Sequence, residues 1–139
     1  MIKQEDLPLV AVNSMNDVHF EEIEMINTLL GQLDDNTDFD TLADSFEKIL
    51  EHMKEHFAGE EQLMKESRYP SYRMHEGEHD KILNGAHYLY MDWRTRKENE
   101  PLREYFEEDI AQWLDQHIRA MDIPMAQFLT DGIIQCSIR

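Results

Sequence analysis

Hydrophobic residues return along this chain at three- and four-residue steps, the period of helices with one buried face. Met15, Val18, Ile23, Ile26, Leu29, Leu30 and Leu33 form a first stripe. Ser14 or Asn16 is placed to cap that helix, Gly31 falls near its end, and the run DDNTD breaks it. A second stripe, with Asp38 or Asp40 as its cap, joins Phe39, Leu42, Phe46, Ile49, Leu50, Met53, Phe57, Leu63 and Met64. The break SRYPS closes it at Pro70. A third helix is predicted from about Ser71 to Asn99, rich in Met, Leu, Tyr and Trp on one side. Pro101 suits the first turn of a fourth, whose stripe is Leu102, Phe106, Ile110, Trp113, Leu114, Ile118 and Met121. Pro124 should end or kink it.

Residues 1–13, with Pro8, read as an extended leader, and a short tail segment follows the last helix. No segment shows the alternation of a half-buried strand. Four helices with short connections predict an all-α fold, an antiparallel up-down-up-down four-helix bundle. The bundle should span about 14–129 within a single domain covering 1–139.

A chain of 139 residues is long enough to bury a real core. Its formal net charge of -17 argues against nucleic acid, whose phosphates would be repelled, and against an anionic membrane surface. No run approaches the roughly 18 apolar residues of a membrane span, and the N-terminus lacks signal-peptide organisation. Cys136 is the only cysteine, which excludes an internal disulfide and a thiolate cluster and fits a reducing, cytoplasmic setting. It reads as an ordinary thiol. The apolar tail GIIQCSIR could pack on its own bundle or on a neighbour, and nothing in the sequence points to a particular protein partner.

The polar residues inside the apolar stripes carry the chemistry. His75-Glu76-Gly77-Glu78-His79 satisfies H-E-x-x-H, the zinc-protease pattern. That short pattern is easily met by chance in a chain with 7 His. His19 lies in the first stripe, His56 and Glu60 stand i, i+4 in the second helix, and His75 and His79 stand i, i+4 in the third. The fourth carries His117 and, five residues on, Asp122. Residues four apart lie about 40° from eclipsed and can reach one metal or neighbouring metals, whereas an i, i+5 pair in a regular helix lies about 140° apart. Both members of that pair can point inward only if the helix unwinds or bulges between them. Five imidazoles and two carboxylates without thiolate suit iron, manganese or zinc. They are too many for one tetrahedral zinc and natural for two metals bridged by carboxylates.

His19, then HFAGEEQLM followed by YP, then H-x-x-x-H, then WLDQHI with Asp122, resembles the hemerythrin family, specifically the single-domain bacterial hemerythrins. The resemblance runs from about Ser14 to Leu129 and matches the ligand positions in identity, order and spacing. It implies two non-haem irons, carboxylate-bridged with an oxo or hydroxo bridge. His75, His79 and His117 would complete one iron, His19 and His56 would hold the other, and Glu60 and Asp122 would bridge them. It further implies an apolar pocket of Phe57, Trp113, Leu114 and Ile118 over the open site, and reversible binding of dioxygen or a similar small ligand for storage, delivery or sensing.

This chain departs from the family around the first histidine. Val18 stands where a Gln is familiar, and Glu22 where an apolar residue is expected. Glu22 either turns toward the open iron, as an extra ligand or a nearby hydrogen-bonding group, or lies solvated beside Glu21. At the iron it would favour the alternative function, a di-iron oxidoreductase acting on peroxide or nitric oxide. His52 and His87 read as structural or exposed. The protease reading fails because no strand is present to hold a peptide, and it leaves His19, His56 and His117 unexplained.

Overall fold

The computed structural model describes the backbone of residues 2–138 and the side chains of residues 2–131, so the Cys136 thiol and the packing of most of the tail lie outside the described residues. Three helices, α1 (Asn13–Asp34), α2 (Phe39–Ser67) and α3 (Tyr72–Arg96), are joined by short turns. A fourth rod is continuous but not uniform. It is built from α4 (Asn99–Glu104), a π-helical segment at Tyr105–Asp109, α5 (Ile110–His117), a second π segment at Ile118–Asp122, and α6 (Ile123–Ile138). α1 packs on α2 and on the fourth rod, and α3 does the same from the opposite corner. This is the all-α four-helix bundle the periodicity predicts, and the described residues contain no strand.

The helix ends follow local chemistry. Asp38 caps α2 by accepting the Thr41 backbone N–H at 3.1 Å and the Thr41 hydroxyl at 2.9 Å. Those bonds hold its carboxyl below the usual range. α2 and α3 end in the left-handed region at Arg68 and Lys97, both with φ 56°, rather than at glycine. Pro101 sits in the first turn of the fourth rod, as expected.

Two features differ from the sequence reading. Neither Ser14 nor Asn16 caps α1, whose N-cap is the extended Val12 without a side-chain bond. The Asn16 amide instead takes both main-chain groups of Val10, accepting its N–H at 2.9 Å and donating to its carbonyl at 3.0 Å. Asn27 does the same for Ile2 at 3.0 and 2.8 Å. The leader, which contains a 3-10 turn at Gln4–Asp6, is strapped to α1 because an amide offers one donor and one acceptor side to a backbone without a ladder partner. Pro124 does not end the fourth helix. Its ring would collide with the carbonyl one turn earlier, and that turn is the widened Ile118–Asp122 segment, so the helix runs on.

The interior divides into two apolar clusters. One gathers Leu29, Phe46, Ile49, Trp93, Leu102 and Phe106, and the other Met15, Ile23, Met64, Leu114, Ile118 and Met125. His19, His56, Glu60, His75, His79, His117 and Asp122 are all buried as well. Several apolar residues of the stripes face outward instead: Met74, Tyr88 and Met91 on α3, and Leu63 on α2.

Candidate metal centre

All four long helices send side chains to one buried layer. Donor atoms of Glu60, His75, His79, His117 and Asp122 lie within 4.8 Å of one another, and so do those of His19, His56 and Glu60. The two carboxylates divide their oxygens between two groups of rings. Glu60 Oε1 lies 3.1 Å from His79 Nε2 and 3.3 Å from His75 Nε2, while Oε2 lies 2.7 Å from His56 Nε2 and 3.9 Å from His19 Nε2. Asp122 Oδ1 lies 3.0 Å from His75 Nε2 and 3.2 Å from His117 Nε2, while Oδ2 lies 3.0 Å from His19 Nε2. The i, i+5 pair reaches the same point because the π segment Ile118–Asp122 adds a residue to the turn between them.

The donor set fits a pair of cations. His19 Nε2, His79 Nε2, Glu60 Oε1 and both Asp122 oxygens are buried without a hydrogen-bond partner, although polar atoms lie close by. They converge on shared space rather than pointing at each other. His75 Nε2 and His117 Nε2 stand 3.2 Å apart, a contact between lone pairs in the neutral rings. His56 repeats the problem. Its Nδ1 lies 2.8 Å from Glu22 Oε2, and a carboxylate only accepts, so Nδ1 is the donor. In the neutral ring Nε2 then presents a lone pair to Glu60 Oε2 at 2.7 Å. A proton or a metal ion must lie between such acceptors.

The surrounding charges favour protons in this role when no metal is bound. Burial alone would push His75 down, but the carboxylates of Asp122 and Glu60 beside it raise it to about 9. Burial likewise opposes charge on His56, yet the charge of Glu22 and bonds to Glu22 and Glu60 raise it well above the ordinary value. Burial would raise Glu60 and Asp122, but the surrounding imidazoles hold both carboxyls well below the usual range. Cations replacing those protons would answer the same charge.

Glu22 is buried, one helical turn from His19, and meets the far nitrogen of His56. It is neither solvated beside Glu21 nor turned toward the metal face. Glu61, which the sequence reading passed over, supports His79 in the same manner, with Oε2 at 3.0 Å from Nδ1. Its only signal was the doublet Glu60-Glu61, in which neighbours about 100° apart on a helix face different directions.

The apolar residues expected over the open site are split between the two sides. The Phe57 ring stacks on His79 with centroids 4.1 Å apart, and Trp113 stacks on His117 at 4.4 Å. Both brace the three-histidine group, though Phe57 also leans on His56 at 5.1 Å. Leu114 and Ile118 pack with Met15 and Ile23, one turn either side of His19. His52 is half-buried, 3.7 Å from Glu21, and His87 is exposed. Glu76, the base of a zinc-protease reading, accepts a bond from Tyr72. No described helix is long and apolar enough to cross a membrane.

Comparison with known proteins agrees with this geometry. The family model "Hemerythrin HHE cation binding domain" matches residues 9–127. A protein of Aquifex aeolicus (strain VF5), "Bacteriohemerythrin", is 32% identical over 117 residues, covering 84% of this chain and 88% of its own. No solved structure matches the chain. A cation-binding layer of histidines and carboxylates inside a four-helix bundle, matched by the family model over most of its length, makes this chain a member of the hemerythrin family.

Proposed function

We propose that the chain binds two iron ions in one carboxylate-bridged centre and takes up dioxygen, or a similar small ligand, reversibly for storage, delivery or sensing. The observation that carries this reading is the division of the Glu60 and Asp122 oxygens between two groups of imidazoles. His75, His79 and His117 with one oxygen from each carboxylate offer five donors, and His19 and His56 with the other two oxygens offer four. The second iron is therefore the one with room for an outside ligand. An iron pair supplies two electrons and an open position for a small ligand.

The chain's own residues govern how that chemistry is contained. Leu114 and Ile118 keep the His19 side apolar and limit proton and water access. Phe57 and Trp113 hold the rings of His79 and His117 at fixed angles. Glu22 and Glu61 fix the tautomers of His56 and His79, leaving Nε2 of each free for a metal.

A second reading, an oxidoreductase acting on peroxide or nitric oxide, draws its support from Glu22. A carboxylate behind an imidazole raises its donor strength and so favours the oxidised metal. The test is anaerobic loading with ferrous iron, followed by absorption spectra before oxygen, under oxygen and after degassing. A new band that vanishes on degassing supports the carrier. One-way conversion to a ferric spectrum with no oxygen recovered contradicts it and supports the oxidoreductase.

A further inference from the structure

A cleft of about 200 Å³ opens between α1 and α2 and ends on two residues of the candidate centre. Val18, Gly59 and Leu63 line it together with the buried Met15, His56 and Glu60. A cleft of that size has room for small molecules such as water. The larger cleft of about 410 Å³ between the leader and the fourth rod is lined by none of the seven metal-facing residues.

Three observations on this cleft agree. It meets the centre at His56, which belongs to the half with fewer protein donors. Among the seven residues His56 is the most exposed, at 8%, whereas His75 and Asp122 are at 0%. Gly59 lies in the interior of α2, where glycine is destabilising relative to alanine. Neither packing nor backbone demands it, since an added Cβ would meet nothing within 4 Å and the residue has no positive φ. Gly77 and Gly85 have equally open surroundings, but Gly59 alone of the three lines this cleft and leaves it wider than a side chain would.

We propose that this cleft is the route by which a compact ligand, a diatomic or linear triatomic molecule, reaches the His19/His56 half, with Gly59 and Leu63 setting its bore. The proposal rests on the two-iron reading above. A wider side chain at 59 raises the barrier along the route and leaves both of its ends unchanged, so it slows arrival and departure by the same factor. A residue that shaped the bound state would shift affinity instead.

The test uses azide with the oxidised, iron-loaded protein in stopped flow, after metal analysis of each variant. Gly59→Phe starts its side chain from a Cβ that meets nothing within 4 Å, and Leu63→Ala trims a residue that is 39% exposed. Gly59→Phe is expected to slow association and dissociation together by about tenfold or more. Leu63→Ala is expected to speed both, and azide affinity to stay the same in each. Unchanged rates in both variants, with iron fully retained, would overturn the route. So would an altered affinity at an unaltered association rate. A wild-type chain that holds no iron pair would overturn the reading of the centre itself, which metal analysis detects before any kinetics.

Discussion

The two halves of the centre share their carboxylates and differ in nearly everything else. On the three-histidine side, Phe57 lies flat on His79 with planes 7° apart, Trp113 lies on His117 at 13°, and Glu61 holds His79 from behind. On the two-histidine side no ring is stacked flat, His56 is held from behind by Glu22, and an open cleft is lined by that ring. One half is braced and closed, and the other is held by hydrogen bonding and open. Helix α2 serves both halves, with Phe57 and Glu61 on the braced side and His56 and Gly59 on the open one.

Removing what the halves share should do most damage. Glu60→Ala takes an oxygen from each group of imidazoles, and iron should fall from about two per chain to less than one when measured by metal analysis. Glu60→Asp, which keeps the charge on a shorter stem, should hold more iron than Glu60→Ala. If Glu60→Ala still binds two irons, the shared-carboxylate account fails.

The braced half should respond next, through stability. Phe57 is 3% exposed, and Phe57→Ala should cost about 3–5 kcal/mol in urea denaturation of the metal-free protein, with looser metal retention following. The open half should respond more narrowly. Glu22→Leu keeps the volume but leaves His56 Nδ1 unpaired, and one of the two metals should weaken by about 10–100-fold while the other is retained. Glu22→Gln, still able to accept from Nδ1, should fall between. Equal weakening of both metals would erase the distinction between the halves.

The smallest effect concerns pH. His75 is raised from 6.5 to about 9 in the metal-free protein, so its contribution to stability is complete below 6.5 and is lost as pH rises through about 9. His56 shifts in the same direction. Where iron takes the place of those protons the loss should be absent, and the melting-temperature gap between iron-loaded and metal-free protein should widen from pH 6.5 to 9. A gap that narrows over that window would contradict the protonated bare centre.

Much of this was legible in the residues because the signals were periodic. Leu29, Phe46, Trp93 and Phe106 mark the inward faces by helical spacing alone, and the i, i+4 pairs His56/Glu60 and His75/His79 follow from the same geometry. The i, i+5 step from His117 to Asp122 demanded a bulge, and a π segment is present there. The other π segment, Tyr105–Asp109, left no such mark because no paired function spans it. Helix ends were less legible. Arg68 and Lys97 adopt a conformation that glycine usually signals, and Asn16 serves the leader where a cap was expected. Direction within a helix face was hardest to read. Glu22 sits on the inward stripe, one of the two positions the sequence left open, but whether it faces the metal or the back of His56 depends on how α1 and α2 pack. The same holds for Phe57, whose ring turns to His79 across helices, whereas Trp113 meets His117 by the i, i+4 step within α5.

The central claim is a centre for two metals, divided between these halves. Anaerobic titration of the metal-free chain with ferrous iron, counting bound metal at saturation, tests it most directly. The account expects about two irons per chain in wild type, with Glu22→Leu losing one of them first. Saturation at a single iron, or an equal loss of both in Glu22→Leu, would contradict it.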